Sequence, residues 1–314
     1  MPNQLPTAAA GRGRAQEDDI PTPYRDHCPL CQSSAQVVGH KSGPLTRQDY
    51  EIRLCDSCRF GFVANPSHDF ADIYNEDYYA GRGADPTVDY VAELQSPRTT
   101  IRSSEWKGVI ALAATVAPPG RGAKWLDYGC GNGLLVRHVN QSGQYDCVGY
   151  DISVISAKAR ASGTPILTDD ELARAEGTFD LVTALEVIEH VPDPIPVLKQ
   201  IYRLLKPGGA FVYTTGNARP HQHRLLKWGY LRPEIHVSLF APDNAALALR
   251  AAGFVPEPLG YRAGSRDIIR FKTLKNLGVR RVAWWQNLIP WTLLAPMINK
   301  RYGVFDFPIG RRPA

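Results

Sequence analysis

Two short patterns carry most of the chemistry that this 314-residue chain offers. Cys28-Pro29-Leu30-Cys31 and Cys55-Asp56-Ser57-Cys58 are two CxxC turns with 23 residues between them. Four thiolates on two tight turns supply a closed tetrahedral set, the form that structural Zn2+ sites use. No open position is left, so the ion would hold a small region together rather than take part in a reaction. His27 and His40 could compete as ligands but read better as surface histidines, and the isolated Cys130 and Cys147 read as packed thiols. The second pattern is Trp125-Leu126-Asp127-Tyr128-Gly129-Cys130-Gly131-Asn132-Gly133, an apolar strand running into a glycine-rich turn. Glycines there let the backbone turn sharply and let a ligand lie against it without meeting a Cβ. A second acid, Asp151, ends the next strand, where its two oxygens match the two hydroxyls of a ribose. The spacing is GxGxG with Leu134 where a dinucleotide fingerprint needs its last glycine, so the turn departs from the NAD pattern.

The elements that must position these groups are legible as alternating β-rich and helical runs from about residue 124, which implies parallel strands with crossover helices. The strands are expected at 124–128, 146–150, 165–167, 179–185, 210–215 and 254–261. A helix starts near Pro194, where Ile195, Leu198, Ile201, Tyr202 and Leu205 recur at helical spacing, and Pro207-Gly208-Gly209 ends it. Another covers Pro242 to Ala252 and closes on Gly253. The reading divides the chain into a disordered lead (1–23), a zinc-binding module (24–66), a helical connector (67–123), a cofactor domain (124–261) and a basic aromatic tail with the last strand (262–314).

Further motifs come in order along the chain. Phe179-Asp180-Leu181-Val182-Thr183-Ala184-Leu185-Glu186-Val187-Ile188-Glu189-His190-Val191 and Leu204-Leu205-Lys206-Pro207-Gly208-Gly209, together with the glycine turn, resemble the class I S-adenosylmethionine-dependent methyltransferases over roughly residues 110 to 262. The resemblance implies a doubly wound, Rossmann-like α/β fold with a seven-stranded sheet whose last strand is antiparallel. By the same resemblance Asp127, Gly129, Gly131 and Gly133 would cradle the methionine part of S-adenosyl-L-methionine, Asp151 would bind the ribose, Ile152 would pack on the adenine, Asp169 would meet its amino group and Glu186 would face the methionine end. A four-cysteine module followed by Tyr74, Tyr78 and Tyr79 is similar to the deoxysugar C-methyltransferases and related natural-product enzymes. There the connector tyrosines reach the active site, and a Glu and a His in the insertion after the fifth strand abstract the proton. Glu234 and His236 stand in that place here, with His190 after the fourth strand as a further candidate. The chain ends too early for the extra C-terminal domain of the sugar enzymes.

Composition narrows the partners. With 44% hydrophobic and 21% charged residues the chain reads as globular, and no uninterrupted apolar run or leader pattern suggests a spanning helix or secretion, so a cytoplasmic protein is expected. The net charge of +5 is local, because residues 262 to 314 hold 11 basic and 2 acidic residues while 24 to 124 hold 11 and 12. A module tracking phosphates should be basic, so nucleic acid is disfavoured and an RNA methyltransferase ranks behind a small-molecule enzyme acting on a sugar nucleotide, glycan precursor or secondary metabolite. A non-catalytic cofactor-binding subunit is the remaining alternative. The tail, with Trp284, Trp285 and Trp291 bounded by Arg280, Arg281, Lys300 and Arg301, admits three readings: a lid, a peripheral membrane contact or a subunit surface. The sequence leaves the oligomeric state open.

Overall fold

The computed structural model describes residues 25–67, 73–85 and 89–314; the expected disordered lead lies outside them. In chain order the strands are β1 (Ala35–Ser42), β2 (Asp49–Cys55), β3 (Gly61–Val63), β4 (Lys124–Tyr128), β5 (Asp146–Tyr150), β6 (Ile166–Leu167), β7 (Phe179–Leu185), β8 (Leu205–Thr214), β9 (Ser238–Leu239), β10 (Val255–Pro258) and β11 (Pro308–Arg311). The helices are α1 (Glu76–Tyr79), α2 (Tyr90–Gln95), α3 (Arg102–Val116), α4 (Leu134–Ser142), α5 (Val154–Ala161), α6 (Asp169–Ala173), α7 (Pro194–Leu204), α8 (Pro242–Ala251), α9 (Ser265–Asn276) and α10 (Trp291–Tyr302).

The large sheet has the order β10-β11-β8-β7-β4-β5-β6, parallel except for β11, which pairs antiparallel with both β8 and β10. This is the expected α/β methyltransferase sheet, with its last strand reversed. Its central strands are buried on both faces, as parallel strands between two helical layers must be: Trp125, Leu126, Leu181, Val182 and Phe211 are all fully enclosed. Two boundaries differ from expectation. β8 begins at Leu205 rather than after the glycines, because the Gly208 N–H donates to the Arg312 carbonyl and the Arg312 N–H to the Gly209 carbonyl, pairing the turn with the chain's end. β10 is shorter than the expected run and carries Pro256 and Pro258, which an edge strand tolerates because an outward proline forfeits no ladder bond.

The small sheet is antiparallel, in the order β1-β2-β3-β9. Tyr50, Ile52 and Leu54 alternate inward along β2, the period of a half-buried strand. Its fourth strand comes from the insertion after β8, so residues 238–239 complete a sheet begun by residues 35–63. That pairing anchors the insertion carrying Glu234 and His236 to the cysteine-bearing module.

Candidate active site

The glycine turn comes after β4 at the carboxyl edge of the large sheet. Gly129, Gly131 and Gly133 all have positive φ (79°, 52° and 69°), a region that disfavours any side chain. A Cβ on Gly129 would press within 2.4 Å of Val187, and one on Gly131 would meet the Tyr90 ring at 3.1 Å. The turn is held open by Asp151, whose Oδ2 accepts from the Gly131 N–H at 2.7 Å while Oδ1 accepts from the Ser153 N–H at 2.8 Å. A carboxylate has about four lone-pair sites, so both oxygens keep capacity for ribose hydroxyls. Ile152 beside it is 84% exposed at the strand's end, an apolar platform of the kind an adenine ring would cover. Asp169 opens α6 and accepts from the Tyr150 hydroxyl at 2.9 Å. This cradle therefore fits S-adenosylmethionine: a Cβ-free turn, a carboxylate with spare acceptor sites and an uncovered apolar side chain lie together.

Asp127 is buried within the sheet, where its Oδ1 accepts from the Thr183 hydroxyl at 2.9 Å and that hydroxyl accepts from the Trp125 indole at 2.8 Å. Burial pushes its carboxyl up to about 7. Glu186, in left-handed backbone (φ 55°), pairs with the Lys272 ammonium of α9 at 2.6 Å and accepts from the Tyr230 hydroxyl at 3.1 Å. Burial opposes its ionisation, but Lys272 and Lys275 outweigh that and hold it below the usual carboxylate range. The basic tail thus reaches the end of β7 through the Lys272–Glu186 pair. α2 covers the turn from the other side, with the Asn132 amide donating to Glu93 at 3.0 Å.

A second group of side chains sits beyond β7. His190 and His236 face each other with ring centroids 5.0 Å apart. The Tyr74 hydroxyl hydrogen-bonds His190 Nδ1 at 2.7 Å, so a connector tyrosine does reach this group. His236 is enclosed, stacks on the Tyr230 ring at 4.1 Å and donates from Nδ1 to the Tyr230 carbonyl at 2.5 Å. A carbonyl only accepts, which fixes the proton on Nδ1 and leaves the Nε2 lone pair free in the neutral ring. Burial holds both imidazoles neutral, lowering His236 to about 4 and His190 to about 3. Glu189 is fully buried, its Oε1 sharing a hydrogen bond with the Tyr230 hydroxyl while its Oε2 has no partner; burial and neighbouring Glu186 push it up to about 8. One donor atom from each of Glu189, His190 and His236 lies within 4.8 Å of the others.

Glu234 does not join this group. Its Oε1 accepts from the Thr46 N–H at 2.6 Å, the Thr46 hydroxyl at 2.8 Å and the Leu45 N–H at 2.9 Å. The expected proton acceptor instead clamps the β1–β2 turn to the insertion, because those backbone donors have no strand partner and a buried carboxylate satisfies them. Glu189, Tyr230 and Lys272 were not singled out from sequence. Glu189 lies within a recognised run and its spacing from Glu186 was readable. Nothing in the sequence separates Tyr230 or Lys272 from ordinary surface residues.

The four module cysteines form the other cluster. Sγ atoms of Cys28 and Cys58, Cys31 and Cys58, and Cys31 and Cys55 are 3.6, 3.6 and 3.5 Å apart. The edge of a tetrahedron with metal–sulfur bonds of ~2.3 Å is roughly 3.8 Å, whereas a disulfide would be ~2.05 Å. Both turns have one geometry: the residue after the second cysteine, Gln32 or Arg59, is left-handed (φ 60° and 57°) and its N–H donates to the first cysteine's carbonyl. The Leu30 and Cys58 N–H groups donate to the Cys28 and Cys55 sulfurs at 3.4 Å, which favours thiolates. The donor set fits Zn2+.

Sheet order, glycine turn and the carboxylate that holds that turn together define a class, and residues 100–259 match the family described as a methyltransferase domain: the chain belongs to the class I S-adenosylmethionine-dependent methyltransferases. Among curated relatives it is 34% identical over 155 residues to the ubiquinone biosynthesis O-methyltransferase of Cereibacter sphaeroides, covering 44% of this chain and 62% of that one. It is 30% identical over 219 residues to the protein of the same name from Bordetella avium, covering 63% and 85%. The chain thus spans about three-fifths of the first of these. Among solved structures, Haemonchus contortus phosphoethanolamine N-methyltransferase 2 in complex with S-adenosyl-L-methionine matches 81% of this chain and 62% of that chain at 15% identity and a TM-score of 0.46.

Proposed function

We propose that the protein methylates a hydroxyl oxygen of a small-molecule acceptor and that His236 takes the acceptor's proton. The observation that carries this is the enclosed His236 ring, protonated on Nδ1 by its bond to the Tyr230 carbonyl and therefore basic at Nε2. Bound in the cradle of Gly129, Gly131, Gly133 and Asp151, S-adenosylmethionine supplies an activated methyl group on a sulfonium. The chain's own work is to align and to move one proton. The cofactor would give up that methyl by breaking its C–S bond and leave as the neutral thioether S-adenosylhomocysteine, while His236 Nε2 would take the O–H proton that the acceptor loses and end as an imidazolium. Tyr74 and His190 fix the pocket beside that ring, and Tyr230 braces its face. The names of the relatives support oxygen as the acceptor atom. The near-neutral module supports a sugar nucleotide, glycan precursor or secondary metabolite over nucleic acid. Cys28, Cys31, Cys55 and Cys58 hold a structural Zn2+ as thiolates, an arrangement suited to a reducing cytoplasmic compartment.

Replacing His236 with Ala tests the assignment: turnover should fall by ~10² to 10⁴ with S-adenosylhomocysteine affinity retained, and an unchanged rate would remove His236 from the chemistry. The unpartnered Oε2 of Glu189 beside two neutral imidazoles favours a second reading, in which the three hold a divalent cation. Mn2+ suits oxygen and nitrogen donors rather than the four thiolates, so one equivalent bound in a paramagnetic resonance titration, and lost in Glu189→Gln, would establish that reading. No binding would leave His236 as the base.

A further inference from the structure

The segment between β10 and β11 does two things at once. Its first helix, α9, is committed inward: Ile268, Ile269, Phe271 and Leu274 are buried and Lys272 pairs with Glu186. The stretch after it faces out. Leu277 (73% exposed), Trp284 (76%), Leu288 (73%), Leu293 (69%) and Met297 (66%) are large apolar side chains with little or no cover, and Val282 and Trp285 are partly uncovered beside them. Of the fourteen large hydrophobic side chains exposed among the described residues, eight fall between 277 and 302.

The register of α10 shows that this is a constructed face. Trp291 and Ala295, four apart, are buried; Leu293 and Met297, four apart on the opposite side, are exposed, and Lys300 and Arg301 continue that outer stripe. The Trp291 indole donates inward to the Gln286 carbonyl at 3.0 Å, and Gln286 is itself buried and donates to the Arg281 carbonyl. The turn carrying Trp284, Trp285 and Leu288 is thereby braced from beneath, with its apolar side chains outward. Arg281, Lys300 and Arg301, all exposed, flank it at both ends, Arg280 being paired with Asp89, and the stretch 277–302 has no acidic residue.

From these observations we infer that residues 277–302 dock the protein on the surface of an anionic lipid bilayer, with Trp284, Trp285, Leu288, Leu293 and Met297 entering the headgroup boundary and the flanking cations meeting lipid phosphates. Tryptophan and arginine suit that boundary because their apolar bodies and polar ends are satisfied at different depths. One apolar patch binds a membrane only marginally, and one added to several cations binds usefully. No described helix is long and apolar enough to cross a membrane, so the contact is peripheral. α9 joins the docking stretch directly to Lys272 and the cofactor cradle, which places the active site next to the bilayer. The same segment can therefore cover the site and carry the docking face, α9 serving the first task and residues 277–302 the second.

The test is co-sedimentation of the full chain with large vesicles of phosphatidylcholine containing 30% phosphatidylglycerol, beside vesicles of phosphatidylcholine alone, with tryptophan emission recorded in parallel. The expected result is binding to the anionic vesicles with a blue shift, weakened by salt and by removal of the anionic lipid. Trp284→Ser/Leu288→Ser/Leu293→Ser and, separately, Arg281→Glu/Lys300→Glu/Arg301→Glu should each lower the partition coefficient by about tenfold or more. All six side chains are exposed, so circular dichroism and S-adenosylhomocysteine binding should match the parent. No sedimentation with anionic vesicles would overturn the inference. So would a lipid-independent dimer, seen by light scattering and abolished by the apolar triple variant, because it would assign the face to a second copy.

Discussion

At the scale of single residues, the fold moves the ionisation of the groups nearest the chemistry. Asp127 is held near 7 by burial, which makes a signed prediction. The folded carboxyl binds its proton more tightly than the unfolded one, so stability falls as pH rises from about 4 to about 7 and stays lower above that. Asp127→Asn keeps an acceptor for Thr183 and should be more stable than the parent at pH 8 by on the order of 2–4 kcal/mol, the advantage vanishing near pH 4 in denaturant titrations. His236 behaves in the opposite sense: with its folded value lowered to about 4, it stays an unprotonated base well below 6.5. The acid limb of kcat/KM against pH should therefore fall below about 5 rather than near 6.5, and a limb at 6.5 would point to an exposed base instead. The glycine turn is legible because its geometry is local to one strand–turn–helix unit, and Asp151 stands at the end of the next parallel strand, where it bonds back to Gly131. The role of Glu234 is not legible, since its partners Leu45 and Thr46 lie about 190 residues earlier in the chain.

At the scale of elements, the four-cysteine module and the insertion after β8 stabilise one another. β9 completes the small sheet and Glu234 clamps the β1–β2 turn, so the insertion that carries His236 is built on the module. Glu234→Ala should destabilise the fold by roughly 1–3 kcal/mol, because it removes the buried carboxylate that the Leu45 and Thr46 donors of the β1–β2 turn share. Its residual activity per folded molecule should stay far above that of His236→Ala, and equal losses would return Glu234 to the chemistry. Purified protein should contain about one equivalent of zinc by elemental analysis, and Cys58→Ser should lose it together with the near-ultraviolet signal of Phe60, Phe62 and Tyr50. Strands β4, β5 and β7 occupy the expected ranges, because their central residues are apolar as both faces of a parallel sheet demand. β9 was invisible because two residues carry no period, and they become a strand only against β3.

At the scale of the whole molecule, the chain brings three units to one edge of the sheet: the glycine cradle, the module-braced insertion with His236, and the tail that reaches Glu186 through Lys272. That convergence is what an alkyl transfer requires, since holding acceptor and methyl in line is worth up to ~7–11 kcal/mol and only one proton has to move. It also explains why net charge is a poor guide here. The positive excess sits in a tail that pairs with Glu186 and exposes an apolar face, whereas residues 24–124 are nearly balanced. The most direct measurement is S-adenosylhomocysteine release from S-adenosylmethionine across a panel of hydroxylated acceptors, including sugar nucleotides and phenolic metabolites, by the parent and by His236→Ala at matched cofactor saturation. Acceptor-dependent release by the parent, reduced ~10² to 10⁴ in the variant with the cofactor Kd unchanged, is the predicted result. Equal release by both proteins, or transfer only to amines or carbon acceptors, would contradict it.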